Sequence, residues 1–226
     1  MKKTKYNIII FPGSNCDKDI QHVVNLYNGE YELIWHKDRH LKNPDVVVIP
    51  GGFSYGDYLR CGALANFSNI MPSIIEYANA GGLVIGICNG FQILTEARLL
   101  PGTLIKNKSL KFVCQHQSIK VINNSTPFSC DYEENEIIDI PIAHKDGFYF
   151  IEEKGLNELI QNNQIVFTYE QSNPNGSLLN IAGIINSKGN VLGMMPHPER
   201  AAESVLQSER GAGVFKSIDK WVKQHS

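Results

Sequence analysis

Through the first half of the chain, short apolar runs alternate with segments of helical periodicity. Asn7–Phe11 is nearly all apolar and stops at Pro12-Gly13, which predicts a buried strand. Ile20, Val23, Val24 and Tyr27 then recur at helical spacing over Asp17–Tyr27, and Asn28-Gly29 supplies a stop. Tyr31–Trp35, Val46–Ile49 and Leu83–Ile87 read as further strands, the second a β-branched run cut by Pro50-Gly51-Gly52. Helices are predicted over Ser73–Ala80 and Asn89–Arg98. Strands and helices in alternation predict right-handed βαβ units and a parallel sheet.

The middle changes character. Lys111–Val121, Glu136–Ile142 and Gln164–Tyr169 are short β runs separated by turn residues, with a helix over Glu152–Asn162 among them. Ile181–Asn186 and Val191–Met194 flank Ser187-Lys188-Gly189-Asn190, a hairpin signal. The chain ends on a helix whose apolar stripe is Val214, Phe215, Ile218 and Val222. The expected fold is α/β: an open, mostly parallel sheet flanked by helices, with an antiparallel addition. No repeat, low-complexity tract or linker divides the sequence, so one domain over residues 1–226 is expected.

Composition narrows the class. An apolar share of 42% in 226 residues fills a sizeable core, and a charged share of 19% argues against disorder. A net charge of −2 gives no broad attraction to nucleic acid or to an anionic membrane, and neither is expected as a partner. No apolar run approaches the roughly 18 residues of a spanning helix. Lys2, Lys3 and Lys5 precede an apolar stretch too short for a signal peptide. Five cysteines without a CxxC pair point to neither a disulfide framework nor a zinc finger. These features predict a cytoplasmic globular protein with no metal site.

The chemistry concentrates at Gly86-Ile87-Cys88-Asn89-Gly90, where a buried strand runs directly into a helix. This is the strand–turn–helix setting of a nucleophile elbow, with cysteine in place of serine. The flanking glycines let strand and helix approach closely, and the turn presents the sulfur at the carboxyl end of the sheet, where open α/β folds hold ligands. The helix N-terminus favours negative charge on that sulfur, and the Asn89 N–H is free to donate to an oxyanion. Cys16, Cys61, Cys114 and Cys130 have no such setting and read as small packing residues.

A thiolate nucleophile needs a base, and the base needs an orienting group. His197 lies just past the Val191–Met194 strand in Pro196-His197-Pro198-Glu199, stiffened by two prolines, with the Glu199 carboxylate close enough to reach one imidazole nitrogen. His22, His36, His40, His116 and His225 lack such a neighbour in sequence. A second oxyanion donor is expected from the glycine-rich turn Pro50-Gly51-Gly52-Phe53, which has neither GK[ST] nor GxGxxG to make it a phosphate loop.

The elbow with its later His-Pro-Glu resembles the class I glutamine amidotransferases. Phe11–Asp17, Pro50–Arg60, Asn173–Ser177 and Gly189–Arg200 extend the likeness along nearly the whole chain, towards members that serve as a separate small subunit. The resemblance implies that Cys88 attacks the side-chain amide of glutamine and that His197, oriented by Glu199, moves the protons. It further implies that the Gly52 and Asn89 N–H groups form the oxyanion hole, and that Gln92, His144 and Gly147 bind the substrate. The partners it implies are a synthetase subunit that consumes the ammonia and a third, small subunit. ATP and Mg²⁺ would act in the synthetase, with no cofactor in this chain. Where the family shows His-Gly-Glu-Gly, this sequence has His144-Lys145-Asp146-Gly147, and a lysine adopts a left-handed backbone far less readily than glycine. A stand-alone thiol hydrolase or peptidase, and a non-catalytic glutamine-binding subunit, stand as the other readings.

Overall fold

The computed structural model describes residues 2–225. The strands are β1 (Lys5–Ile10), β2 (Glu30–Trp35), β3 (Val46–Ile49), β4 (Leu83–Ile87), β5 (Thr103–Ile105), β6 (Val113–Val121), β7 (Ile137–His144), β8 (Phe148–Phe150), β9 (Ile165–Tyr169), β10 (Ile181–Ile185) and β11 (Val191–Met194). The α-helices are α1 (Asp17–Leu26), α2 (Met71–Asn79), α3 (Asn89–Glu96), α4 (Glu153–Gln161) and α5 (Ala212–His225).

Nine strands form one sheet in the order β2-β1-β3-β4-β11-β10-β9-β6-β7. The pairs from β2 across to β11 are parallel, and those from β11 across to β7 are antiparallel. The two halves bury differently, as their sequences demand. Every residue of β3, β4 and β11 is buried, because helices cover parallel strands on both faces. Residues of β7 alternate between buried and more accessible positions, so that arm turns one face towards solvent. Helix α1 packs on β1 and β2, while α3 packs on β3, β4 and β11. The C-terminal stripe Val214, Phe215, Ile218 and Val222 is buried as its spacing predicts.

The differences from the sequence reading are local. Helix α2 begins at Met71 because Pro72 sits in the first turn, where its missing N–H costs nothing. Helix α3 stops at Glu96, just before Arg98 turns left-handed at φ 57°. The small β5–β8 sheet was not foreseen, since three residues per strand are too few to show a period. Strand β7 runs on to His144, two residues beyond the predicted end, and so carries that side chain towards the site.

Topology gathers the chemistry at the carboxyl ends of the parallel strands. The loops after β1, β3, β4 and β11 all open there, and strand order reverses between β1 and β3. The first two of these loops are laced together: Phe53 N donates to Gly13 O at 2.9 Å, and Cys16 N to Gly51 O at 3.3 Å.

Candidate active site

Cys88 follows the last residue of β4 with φ 51° and ψ −105°, a conformation that a side chain with a Cβ rarely adopts. Such strain persists only where the surroundings over-determine it. Here Cys88 N donates to Met194 O at 2.8 Å in the neighbouring strand, and Cys88 O accepts the first bond of α3 from Gln92 N at 3.2 Å. A Cβ on Gly90 would collide with the Ile49 carbonyl, so only glycine lets α3 sit this close to β3. The result is a sulfur at a helix N-terminus, 3.6 Å from Ala143 O, beside the free N–H groups of the first turn.

His197 emerges from β11 with its N–H bonded to Pro141 O of β7 at 2.8 Å. A single tight turn over Pro198–Arg200 folds Glu199 back, so that its Oε1 lies 2.6 Å from His197 Nδ1. Both side chains are buried. Burial alone would push the imidazole down. Burial is the largest single influence, but the Glu199 carboxylate and the thiols of Cys88 and Cys16 together outweigh it and hold His197 well above its usual value. Glu199 therefore fixes the proton on Nδ1 and turns Nε2 towards the sulfurs. Nε2 and Glu199 Oε2 are buried without a hydrogen bond of full geometry.

The loop after β7 closes the site through a residue that sequence reasoning passed over. Asn107, fully buried, donates from Nδ2 to Lys111 O at 2.9 Å and His144 O at 3.0 Å. Its Oδ1 must then be the acceptor, and it takes Gly147 N–H at 3.0 Å and His144 Nδ1–H at 3.2 Å. Asn175 Nδ2 and Ser177 Oγ hold the Gly147 carbonyl from the other side, which gives the Asn173–Ser177 segment a structural reason. Lys145 has an exposed side chain and is absent from the left-handed positions, so an ordinary backbone serves there.

Asn89 and Gln92 brace the same loops. Asn89 Oδ1 accepts from Ser54 N at 3.1 Å, its Nδ2 donates to Gln92 Oε1 at 2.9 Å, and Gln92 Nε2 donates to Asp146 O at 2.7 Å. Both ends of the Gln92 amide are therefore spent on the protein. Gly52 follows β3 at φ 144° and forms a bridge with Ser14.

His144 carries a pH consequence. Burial, with a smaller push from His197, lowers it to about 4, so it is neutral at physiological pH. The unfolded chain takes up this proton near pH 6.5 and the folded one only near 4, so the stabilisation is complete above 6.5 and is lost as pH falls towards 4. The gap corresponds to about 3 kcal/mol. Urea denaturation across this range should show that slope, and His144→Gln should flatten it; an unchanged slope would rule His144 out as its source.

Two sequence readings need correction. Cys16 is not a mere packing residue but lies against the site: a sulfur, nitrogen and oxygen of Cys16, His197 and Glu199 fall within 4.8 Å of one another. Its Sγ also accepts from Arg200 Nη2 at 3.3 Å, and burial pushes the thiol up. His22 and His116 do have carboxylate partners, Glu203 at 2.6 Å and Asp139 at 2.7 Å, but these pairs form at the exposed surface and build no site.

Residues 3–224 match the CobB/CobQ-like glutamine amidotransferase domain. The structure of PurLQS from Thermotoga maritima is 42% identical, with 98% of this chain and 100% of that chain covered and a TM-score of 0.90. A glutamine amidotransferase from Thermotoga maritima, at 15% identity and TM-score 0.67 over 98% of this chain and 99% of that one, shares the fold. No described helix is long and apolar enough to cross a membrane. A strained cysteine elbow facing a His–Glu pair on this sheet thus has its place in a known line of enzymes, and the chain belongs to the CobB/CobQ-like glutamine amidotransferase family.

Proposed function

We propose that this chain is the glutaminase subunit of phosphoribosylformylglycinamidine synthase, a single cytoplasmic glutamine amidotransferase domain over residues 1–226. It hydrolyses glutamine to glutamate and ammonia. The ammonia passes to a synthetase subunit that converts formylglycinamide ribonucleotide to formylglycinamidine ribonucleotide in purine biosynthesis. The observation that carries this reading is the 42% identity to a chain of the PurLQS structure over nearly the full length of both, joined to the Cys88 elbow beside the buried His197–Glu199 pair.

The Cys88 thiolate attacks the δ-carbonyl carbon of glutamine, and the oxygen takes the negative charge. Backbone N–H groups of Asn89 and Gly52, at the ends of neighbouring strands, receive that oxyanion. His197 Nε2 protonates the departing nitrogen, and ammonia leaves behind a thioester. The now neutral imidazole takes a proton from water, whose oxygen attacks the thioester; glutamate departs and the thiol is restored. Gly147 and His144 border the substrate, and Gln92 and Asn107 keep the loops that hold it in place. ATP and Mg²⁺ act in the synthetase partner, with a third small subunit completing the assembly.

The test is ammonia release from glutamine by the chain alone and after addition of the synthetase, the small subunit, ribonucleotide and ATP. Stimulation of about tenfold or more on assembly is expected. Equal, fast turnover by the isolated chain, or peptide cleavage at comparable rates, would favour a free thiol hydrolase.

A further inference from the structure

Three metal-competent side chains meet over one bare glycine. A Cβ on Gly51 would stand 2.7 Å from His197 Cε1, 3.0 Å from Cys16 Sγ and 3.5 Å from Cys88 Cβ. The hydrolysis described above uses Cys88 and His197 and leaves the Cys16 thiol without a task. His197 Nε2, in a residue only 2% exposed, faces the Cys16 and Cys88 sulfurs without a hydrogen bond of full geometry to either, which leaves a nitrogen and two sulfurs turned towards one another in a buried site. We propose that Cys16, Cys88 and His197 Nε2 form a binding site for a soft divalent cation of the Zn²⁺ class, and that its occupancy shuts the glutaminase by capturing the nucleophile.

The donor set fits. Two thiolates and one imidazole are the ligands that zinc prefers at a site with an open fourth position. Behind the imidazole, Glu199 Oε1 lies 2.6 Å from Nδ1, the carboxylate–histidine arrangement that fixes a metal-binding tautomer. Bonds of about 2.3 Å to sulfur and about 2.1 Å to nitrogen set tetrahedral ligand atoms about 3.6 Å apart. The Cys16, His197 and Glu199 atoms already lie within 4.8 Å of one another; the Cys88 sulfur lies outside that group but faces the same imidazole, so closing the set takes a turn of the Cys88 side chain towards Cys16. Charge also favours a dication: two thiolates and Glu199 face the Arg200 guanidinium, which donates to Cys16 Sγ at 3.3 Å but is already paired with Asp19 at 2.9 Å, so the cluster keeps a net negative charge. As the metal bonds form, the Cys16 thiol gives up its proton to solvent, and the Cys88–His197 pair gives up the proton it shares, which frees Nε2 to coordinate.

The spectroscopic test needs no glutaminase activity and so stands apart from the proposed function. Co²⁺ titrated into the reduced full chain should bind once and give a thiolate-to-metal charge-transfer band, which Zn²⁺ then displaces. Cys16→Ala and Cys88→Ala should each halve the band per bound metal and weaken Zn²⁺ about tenfold or more, while Cys61→Ala leaves both unchanged. In the assembled enzyme, Zn²⁺ should inhibit glutamine use reversibly to chelator, and Cys16→Ala should need about tenfold more Zn²⁺. Absence of the band in the wild-type chain would overturn the site, as would an undiminished band in Cys16→Ala or equal Zn²⁺ sensitivity of that variant. If Cys16→Ala failed to fold, Cys16→Ser would stand in for it, judged by the same band.

Discussion

Cys88→Ala is expected to lower glutamine hydrolysis by about 10⁴-fold or more, while synthesis from added ammonia continues at the wild-type rate. The split follows from the proposed division of labour, in which the nucleophile makes ammonia and a synthetase partner consumes it. The experiment also decides between two cysteines that face the same imidazole. Cys16 lies at the start of α1 with an ordinary backbone, φ −94° and ψ 6°, and its thiol is held by Asn15 and Arg200. Cys88 alone occupies a strained turn at the end of a central parallel strand, where a reacting carbon can approach both the sulfur and free backbone donors. Hydrolysis should therefore survive in Cys16→Ala. Loss there, with retention in Cys88→Ala, would transfer the nucleophile's role to Cys16.

The contrast between these cysteines shows what a sequence can disclose. The elbow was legible because its cause is local: glycines two residues either side of Cys88, an apolar strand before and a helix after. The His197–Glu199 pair was legible for the same reason, since one turn brings residues two apart into contact. Cys16 was not, because its closeness to His197 arises from the adjacency of β1 and β3 in the sheet and from two loops laced across the reversal of strand order. Asn107 was hidden for a related reason. A single asparagine in a loop carries no period, and three of its four side-chain bonds are to His144 and Gly147, at and beyond the end of β7, far away in sequence. The β-branched strands β3 and β4 matched the structure to the residue, whereas the β5–β8 pair was too short to leave a pattern.

Glu199→Gln tests whether that local pair works electrostatically or merely fills space. Glutamine keeps the shape of the buried side chain but not its charge, and the charge is what opposes the effect of burial on His197. Without it the imidazole falls back towards and below its usual value, and the amide can present its –NH₂ to Nδ1. That contact would place the imidazole proton on Nε2, pointing at Cys88 in the neutral ring and leaving no base for the thiol. By analogy with the buried aspartate of serine-protease triads, kcat should fall by about 10²–10⁴-fold. KM for glutamine should change little, because Glu199 is fully buried behind the imidazole and does not border the substrate. Steady-state kinetics of the assembled enzyme across pH would separate the two accounts. A kcat within about threefold of wild type with an unmoved pH profile would reduce Glu199 to packing. A large fall in kcat with a shifted profile, and with ammonia-driven synthesis intact, would show that one buried carboxylate sets both the tautomer and the basicity on which the hydrolysis depends.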